Sequence, residues 1–430
     1  MSAAVGAGAG PTVTDFGPSD HTYLHSDAPG VPAHWAMLLD LADEGPALTL
    51  DALRERVGER VGWFDLFRVG VRGGFAREPE IVLADDVVIA DHVTESLFAD
   101  DAGLRRLIES QLEEPLPQPQ PYWHITLLTS TRTSRQSILL KVHHSLSDGI
   151  AGAAFAGLLA DVGADGPREF DRFATSPRFR VGTVDPELLA ASRTAFERQW
   201  AAGDEGRSWP ALTGSGRRET ALYSASTREL RRAARHHGAS VHEFLIAAIG
   251  RAVSVAPPVT DEPQAQNIRV TLPVTLDPSF RHTGNAVGLS LLNLPGDSAD
   301  LDVQIERARA ELAITETERL ELALAPVDDA PPMPWADQRA LVAESMKRMS
   351  PDIHIGINPG FTRSRSVLGR DFAGMTPFSP LLGYSFSITG LILGSRTSLG
   401  VVADRSALPG YPGTFVDALS AVIAEAAPVG

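Results

Sequence analysis

The chain contains no cysteine. Disulfides, thiolate metal sites, iron–sulfur clusters and a cysteine nucleophile are excluded together, and redox logic leaves the compartment open. Positive charge is scarce as well, with 38 Lys and Arg against 54 Asp and Glu and a formal net charge of -16. Nucleic acid and anionic lipid both require a basic surface that releases counterions, so nucleic acid is excluded as a partner and membrane contact is expected to be weak and peripheral. Local basic clusters at Arg231, Arg232 and Arg235 and at Arg363, Arg365 and Arg370 read as solvated faces and receive no role. Long apolar runs are missing too. No stretch reaches the roughly 18 uninterrupted apolar residues that span a bilayer, and residues 1–10 lack the basic start and apolar run of a secretory signal. A cytoplasmic location is the expectation. No His or carboxylate cluster has ligand spacing, so neither a metal nor another cofactor is expected.

What is present fits a globular protein. Hydrophobic residues make up 43% and charged residues 21% of the 430 residues. That length exceeds what one core usually organises, which predicts two lobes. Composition shifts place an N-terminal lobe at 14–165, a polar, Gly- and Pro-containing connector at 166–218 and a C-terminal lobe at 219–430. Helices are predicted over 50–61, capped near Thr49, and over 186–201, opened by Asp185 and Pro186. A further, wholly apolar helix is predicted over 241–255, and an amphipathic one over 416–427. Strands are predicted over 136–142, 267–272, 286–294, 384–393 and 398–403. Mixed elements in both halves make an α/β sandwich, and their alternation is too irregular for an eight-repeat barrel. No internal repeat is visible.

Several local patterns carry no chemistry. The run Gly6-Ala7-Gly8-Ala9-Gly10 has no preceding strand and is not a nucleotide loop. His242-Glu243 resembles the start of a zinc-protease helix, but the position of the second His is Ile246. His236-His237-Gly238 reads as a helix end closed by its glycine. Gly383-Tyr384-Ser385 is no nucleophile elbow, because Ser387 stands where that motif needs Gly.

The strand over 136–142 runs straight into His143-His144-Ser145-Leu146-Ser147-Asp148-Gly149, and a small-residue helix is predicted over 149–162. Neighbours at a strand end point to opposite faces, so only one of His143 and His144 can project into a given cavity. Asp148 can fold back across the loop, to fix backbone geometry or to meet an Arg, and Gly149 lets the chain turn tightly. A neutral imidazole, with an unperturbed pKa near about 6.5, suits proton removal from an alcohol or amine. If it returns that proton to a leaving thiolate, one residue serves acyl transfer from a thioester without a covalent enzyme intermediate.

This seven-residue string resembles the HHxxxDG motif of the wax ester synthase/diacylglycerol acyltransferase-like family and of peptide-synthetase condensation domains. Further pieces follow in the family's order: Phe16-Gly17-Pro18-Ser19-Asp20, Asp91-His92-Val93, Pro121-Tyr122-Trp123, Pro273-Val274-Thr275, Gly284-Asn285 and Leu294-Pro295. The resemblance implies a two-lobed chloramphenicol acetyltransferase-like α/β fold with the motif at the interlobe junction, and His144 as the catalytic base. Asp148 would then hold the loop and His143 brace it. Gly149, Asn285 and Trp123 are the candidates for substrate contact, Asn285 on the acceptor side, although Gly284-Asn285 reads equally as a turn and Trp123 as packing. The implied donor is acyl-CoA or an acyl or peptidyl carrier protein, and the acceptor a small alcohol or amine. Departures from the family lie at His242-Glu243, at Leu276-Asp277 in place of an Arg, at Leu393-Gly394-Ser395-Arg396 and at Asn358-Pro359-Gly360-Phe361. They leave the acceptor open. Two other readings stand beside acyl transfer to a small acceptor: a stand-alone condensation enzyme of natural-product assembly, and a non-catalytic binding member of the same fold.

Overall fold

A computed structural model describes residues 13–73, 77–182, 184–203, 209–260, 266–325, 333–361 and 365–427. Residues 1–10 and Arg363, which the sequence reading considered, lie outside the described residues.

Gln136–His143 (QSILLKVH) is buried along its whole length, which explains its near-continuous apolar run. It is a central strand of a six-stranded sheet ordered Ser366–Val367, Arg370–Phe378, His34–Leu41, Gln136–His143, Trp123–Ser130, Val93–Phe98. His34–Leu41 pairs antiparallel with it, from His34 opposite His143 to Asp40 opposite Ser137. Ile138, Leu140 and Val142 enter one core cluster and Leu139 another, as strand alternation requires.

The second six-stranded sheet runs Arg218–Ser226, Arg396–Asp404, Phe386–Leu393, Ile353–Phe361, Asn267–Thr275, Val287–Pro295. Ile353–Phe361 is parallel to both of its neighbours, so the sheet is mixed. Behind it the buried helix Val241–Val255 packs with Leu301–Glu318 and Tyr411–Glu425. Ser240 and Glu243 close a reciprocal capping box at the start of Val241–Val255, which gives Glu243 of the divergent His242-Glu243 pair a structural duty. Two other caps expected from the sequence are formed: Thr49 Oγ1 accepts from Ala52 N, and Asp185 Oδ1 from Glu187 N.

Two expectations need correction. The division at 14–165, 166–218 and 219–430 does not follow the sheets, because Ser366–Val367 and Arg370–Phe378 lie in the N-terminal one, with Ala36 opposite Phe378. Such pairing, more than 300 residues apart in sequence, leaves no local signature. The helix predicted over 149–162 is instead the 3₁₀ segment Ala151–Leu158. Asp148 Oδ1 ties down Ile150 N and Ala151 N at its start, and a Cβ at Gly152 would meet the Trp35 ring at 2.9 Å. The small residues therefore serve close approach to a strand rather than a longer helix.

Candidate active site

The motif stands where the two sheets face one another. Its loop is sewn to the opposite lobe: Asp148 N donates to Gly284 O at 3.1 Å, and Ser147 and Gly284 form a parallel bridge. A cavity of about 930 Å³ opens there, lined from both sheets by residues such as Met37, Leu140, Leu272 and Thr389. That volume suits a substantial organic ligand.

His144 and Gly149 line this cavity. His143 does not; it is buried, its ring packed against Tyr122 with centroids 4.6 Å apart and planes tilted by 35°, and its Nδ1 accepts from Ser145 N and from Ser145 Oγ. Its Nε2 points to Asp27 Oδ2 at 3.5 Å, an ion-pair distance too long for a good hydrogen bond. The two side chains thus take opposite faces.

Asn285 and Trp123, both considered for substrate contact, are placed elsewhere. Trp123 is wholly buried in the N-terminal core, where its Nε1 donates to Phe67 O. Asn285 lies behind His144. Its Nδ2 donates to Asp20 Oδ1 at 2.9 Å and to His144 O at 2.8 Å, which leaves Oδ1 to accept from His144 Nδ1 at 3.0 Å. This network assigns the Nδ1–H tautomer and leaves the Nε2 lone pair of a cavity-lining ring without a hydrogen bond among the described residues. Tyr23 stacks on the imidazole, ring centroids 3.8 Å apart and 10° from parallel. Burial is the largest influence on His144 and, against the pull of Asp148 and Asn285, lowers its pKa to about 4, so the ring is neutral at pH 7.

Asp148 is a hub. Oδ1 accepts from Ile150 N and Ala151 N, and Oδ2 from Ala286 N and His282 Nε2, all between 2.8 and 2.9 Å. Burial alone would raise its carboxyl, but these hydrogen bonds and the charge of His282 bring it below the usual range. The partner is a His rather than an Arg.

Four contributors escaped the sequence reading: Asp20, Tyr23, Arg178 and His282. Arg178, in the supposed connector, meets Asp20 Oδ2 at 3.1 Å and donates to Val13 O at 3.0 Å, tying the opening segment to the site. Asp20 lay in a segment noted only for its resemblance. Asp277, noted only as standing where an Arg was expected, was the one clue to His282 five residues on.

Residues 16–195 match the family model described as the wax ester synthase/diacylglycerol acyltransferase catalytic domain. Over 155 residues, 35% of this chain, the sequence is 27% identical to a probable diacylglycerol O-acyltransferase of Mycobacterium tuberculosis. Residues 16–195 are thus similar to that catalytic domain. The match spans 57% of the length of that mycobacterial relative. The fold is the two-lobed chloramphenicol acetyltransferase-like one. It matches the wax ester synthase/diacylglycerol acyltransferase from Marinobacter aquaeolei VT8 with a TM-score of 0.69 at 16% identity, over 96% of this chain and 98% of that one. The first condensation domain of the calcium-dependent antibiotic synthetase matches with a TM-score of 0.58 at 16% identity, over 96% and 97%. At these identities the likeness is one of fold. No single described helix is long and apolar enough to cross a membrane.

Two predictions arise from this site. Gly284 has φ +80°, and a Cβ there would lie 2.6 Å from Asp20 Oδ1 and 2.7 Å from Arg178 Nη1. Gly284→Ala is therefore expected to cost about 1–2 kcal/mol in backbone strain and, by displacing Asp20, to loosen Asn285 and lower turnover further. Parent-like unfolding and parent-like rates together would contradict it.

The second concerns acid. His144 and His124 are lowered to about 4 and His354 to about 3, in each case chiefly by burial. Below the ordinary His value of 6.5 the unfolded chain binds protons that the folded one refuses, so stability present above pH 6.5 is lost as pH falls toward 4. Asp148 adds a loss of the same sign below 3.8, while His282, raised in the fold, opposes at the other end of the scale. The melting temperature should fall steadily from pH 6.5 to 4. A flat profile across that window would contradict the burial of neutral imidazoles.

Proposed function

We propose that this chain transfers an acyl group from a thioester, carried by coenzyme A or an acyl carrier protein, to a hydroxyl or amine, with His144 as general base. The carrying observation is the fixed tautomer: Asn285 holds His144 Nδ1–H, and Nε2, which has no hydrogen bond among the described residues, belongs to a ring that lines the interlobe cavity. Nε2 takes the proton of the acceptor while its oxygen or nitrogen attacks the thioester carbonyl carbon. The tetrahedral adduct collapses, the carbon–sulfur bond breaks, and the thiolate takes the proton back from the imidazolium. Asn285 Oδ1 stays bonded to Nδ1–H throughout, and the π face of Tyr23 favours the transient positive charge. Gly149 permits Asn358 to approach the motif loop, since a Cβ there would lie 2.9 Å from Asn358 Oδ1.

The test is incubation with palmitoyl-CoA or with palmitoyl-carrier protein, against a panel of alcohols and amines, with products identified by mass spectrometry. Because the chain has no cysteine, a thiol reagent reads only thiol released from the donor. Ester or amide together with free thiol is the expected result. Turnover with the carrier-bound donor alone would favour a condensation enzyme. Folded protein that yields neither product nor thiol with any pair would overturn acyl transfer.

A further inference from the structure

Beside the motif, one imidazole is held between two carboxylates. His282 Nε2 lies 2.9 Å from Asp148 Oδ2, and its Nδ1 lies 2.9 Å from Asp277 Oδ2. Ionised carboxylates only accept, so both contacts are hydrogen bonds only if both ring nitrogens carry protons. The His282 and Asp148 side chains are each 1% exposed, which leaves no bulk water to replace either bond. A neutral ring would aim a lone pair at one of the two carboxylates.

We propose that His282 is a positioning residue of the reaction: a buried imidazolium that clasps Asp148 of the motif loop to Asp277 of the opposite lobe and so sets the placement and electrostatic surroundings of His144.

The anchoring on the far side is firm. Asp277 also accepts from Ser279 N, Ser279 Oγ and Arg281 N, at 2.9, 2.6 and 2.8 Å. On the near side, Asp148 Oδ2 is shared between His282 and Ala286 N, the residue after Asn285. A change at His282 therefore reaches the amide that orients His144 through one covalent neighbour. The charged groups around the clasp are Asp148 from the motif loop, Asp277 from its own loop, and the Asp20–Arg178 pair against Gly284; Phe179 presents only a ring edge. With His282 protonated, this buried set carries one net negative charge and both carboxylates meet a donor, so the motif loop that carries His144 stays clasped to the opposite lobe. Without that proton the set carries two, Asp148 is unmasked beside the base, and carboxylate faces lone pair across the lobe junction. The two carboxylates raise His282 above its ordinary value against the opposing effect of burial.

The role in the reaction rests on the acyl-transfer reading; the charge state of the clasp does not, and the experiment separates them. Nitrogen-15 NMR of histidine-labelled full-length protein, with His282 assigned by its loss in His282→Gln, should show both ring nitrogens protonated at pH 7. The proton should leave only as pH rises above neutrality, and the His144 Nδ1–H signal should move in the same step. Asp277→Asn should shift that step to lower pH. With palmitoyl-CoA and an acceptor that the alcohol and amine panel identifies, the alkaline fall in kcat should shift with it while KM stays near the parent value. A neutral His282 in the parent at pH 7 overturns the clasp, even if Asp277→Asn fails to fold. So does a folded Asp277→Asn that titrates as the parent does, or a His144 signal indifferent to the step. An intact imidazolium in a protein that transfers no acyl group supports the clasp and overturns acyl transfer.

Discussion

Replacing His144 by Ala is expected to lower turnover by roughly 10²–10⁴-fold, the usual contribution of a positioned general base, with little change in melting temperature. Beyond its stack on Tyr23 the ring faces an open cavity, and among the described residues its one side-chain hydrogen bond is to Asn285, so its removal enlarges that cavity rather than leaving a closed void in a core. His143→Ala should behave in reverse. Its ring is 3% exposed, packed on Tyr122, and accepts from Ser145 N and Oγ, so removal orphans buried donors at a cost of about 1–3 kcal/mol and lowers activity mainly through the fold. The informative measurement is the pair: rates on a confirmed substrate beside thermal unfolding of both variants. Near-parent turnover in His144→Ala with a stable, inactive His143→Ala would invert the assignment. Activity in both would remove general-base catalysis and favour a binding protein.

Asp148→Asn should be the most destabilising conservative change at the site. The carboxylate accepts four hydrogen bonds, two from the backbone N–H groups that open the 3₁₀ segment and two from the opposite lobe. An amide can accept on one oxygen, but its NH₂ then meets Ala286 N–H or His282 Nε2–H, donor against donor. His282 is left as a buried cation with only Asp277, and breaking such a pair costs roughly 3–5 kcal/mol. Denaturant unfolding should show that loss, with any residual activity keeping the parent's acid limb. A variant as stable as the parent, inactive only through a changed pH profile, would instead make Asp148 a proton-handling group.

Much of this protein was legible along the chain, for reasons that can be named. The buried strand Gln136–His143, the apolar helix Val241–Val255 and the caps at Thr49 and Asp185 depend on neighbours within a few residues, which sequence periodicity and capping preferences record. The motif loop is local in the same sense. Strand parity alone separated His143 from His144, and the adjacent Asp148-Gly149 pair marked the turn that Asp148 caps. The 3₁₀ winding of Ala151–Leu158 was not legible, because the same small residues suit an α-helix unless a tryptophan from another strand crowds Gly152.

The partners of the site were decided by tertiary structure. Asp20 and Arg178 reach Asn285 and the motif from segments 265 and 33 residues distant, and Arg370–Phe378 joins the N-terminal sheet from the far half of the chain. Asn285, a candidate for substrate contact, instead sets the tautomer of His144, and Trp123, read as either substrate contact or packing, lies in the core. Residue type and spacing determined that an imidazole would stand at the end of a strand. Its tautomer, charge and surroundings depend on groups brought within 3 Å by the closing of two lobes, and electrostatic and hydrogen-bond energies fall off with distance in space, not with separation along the chain.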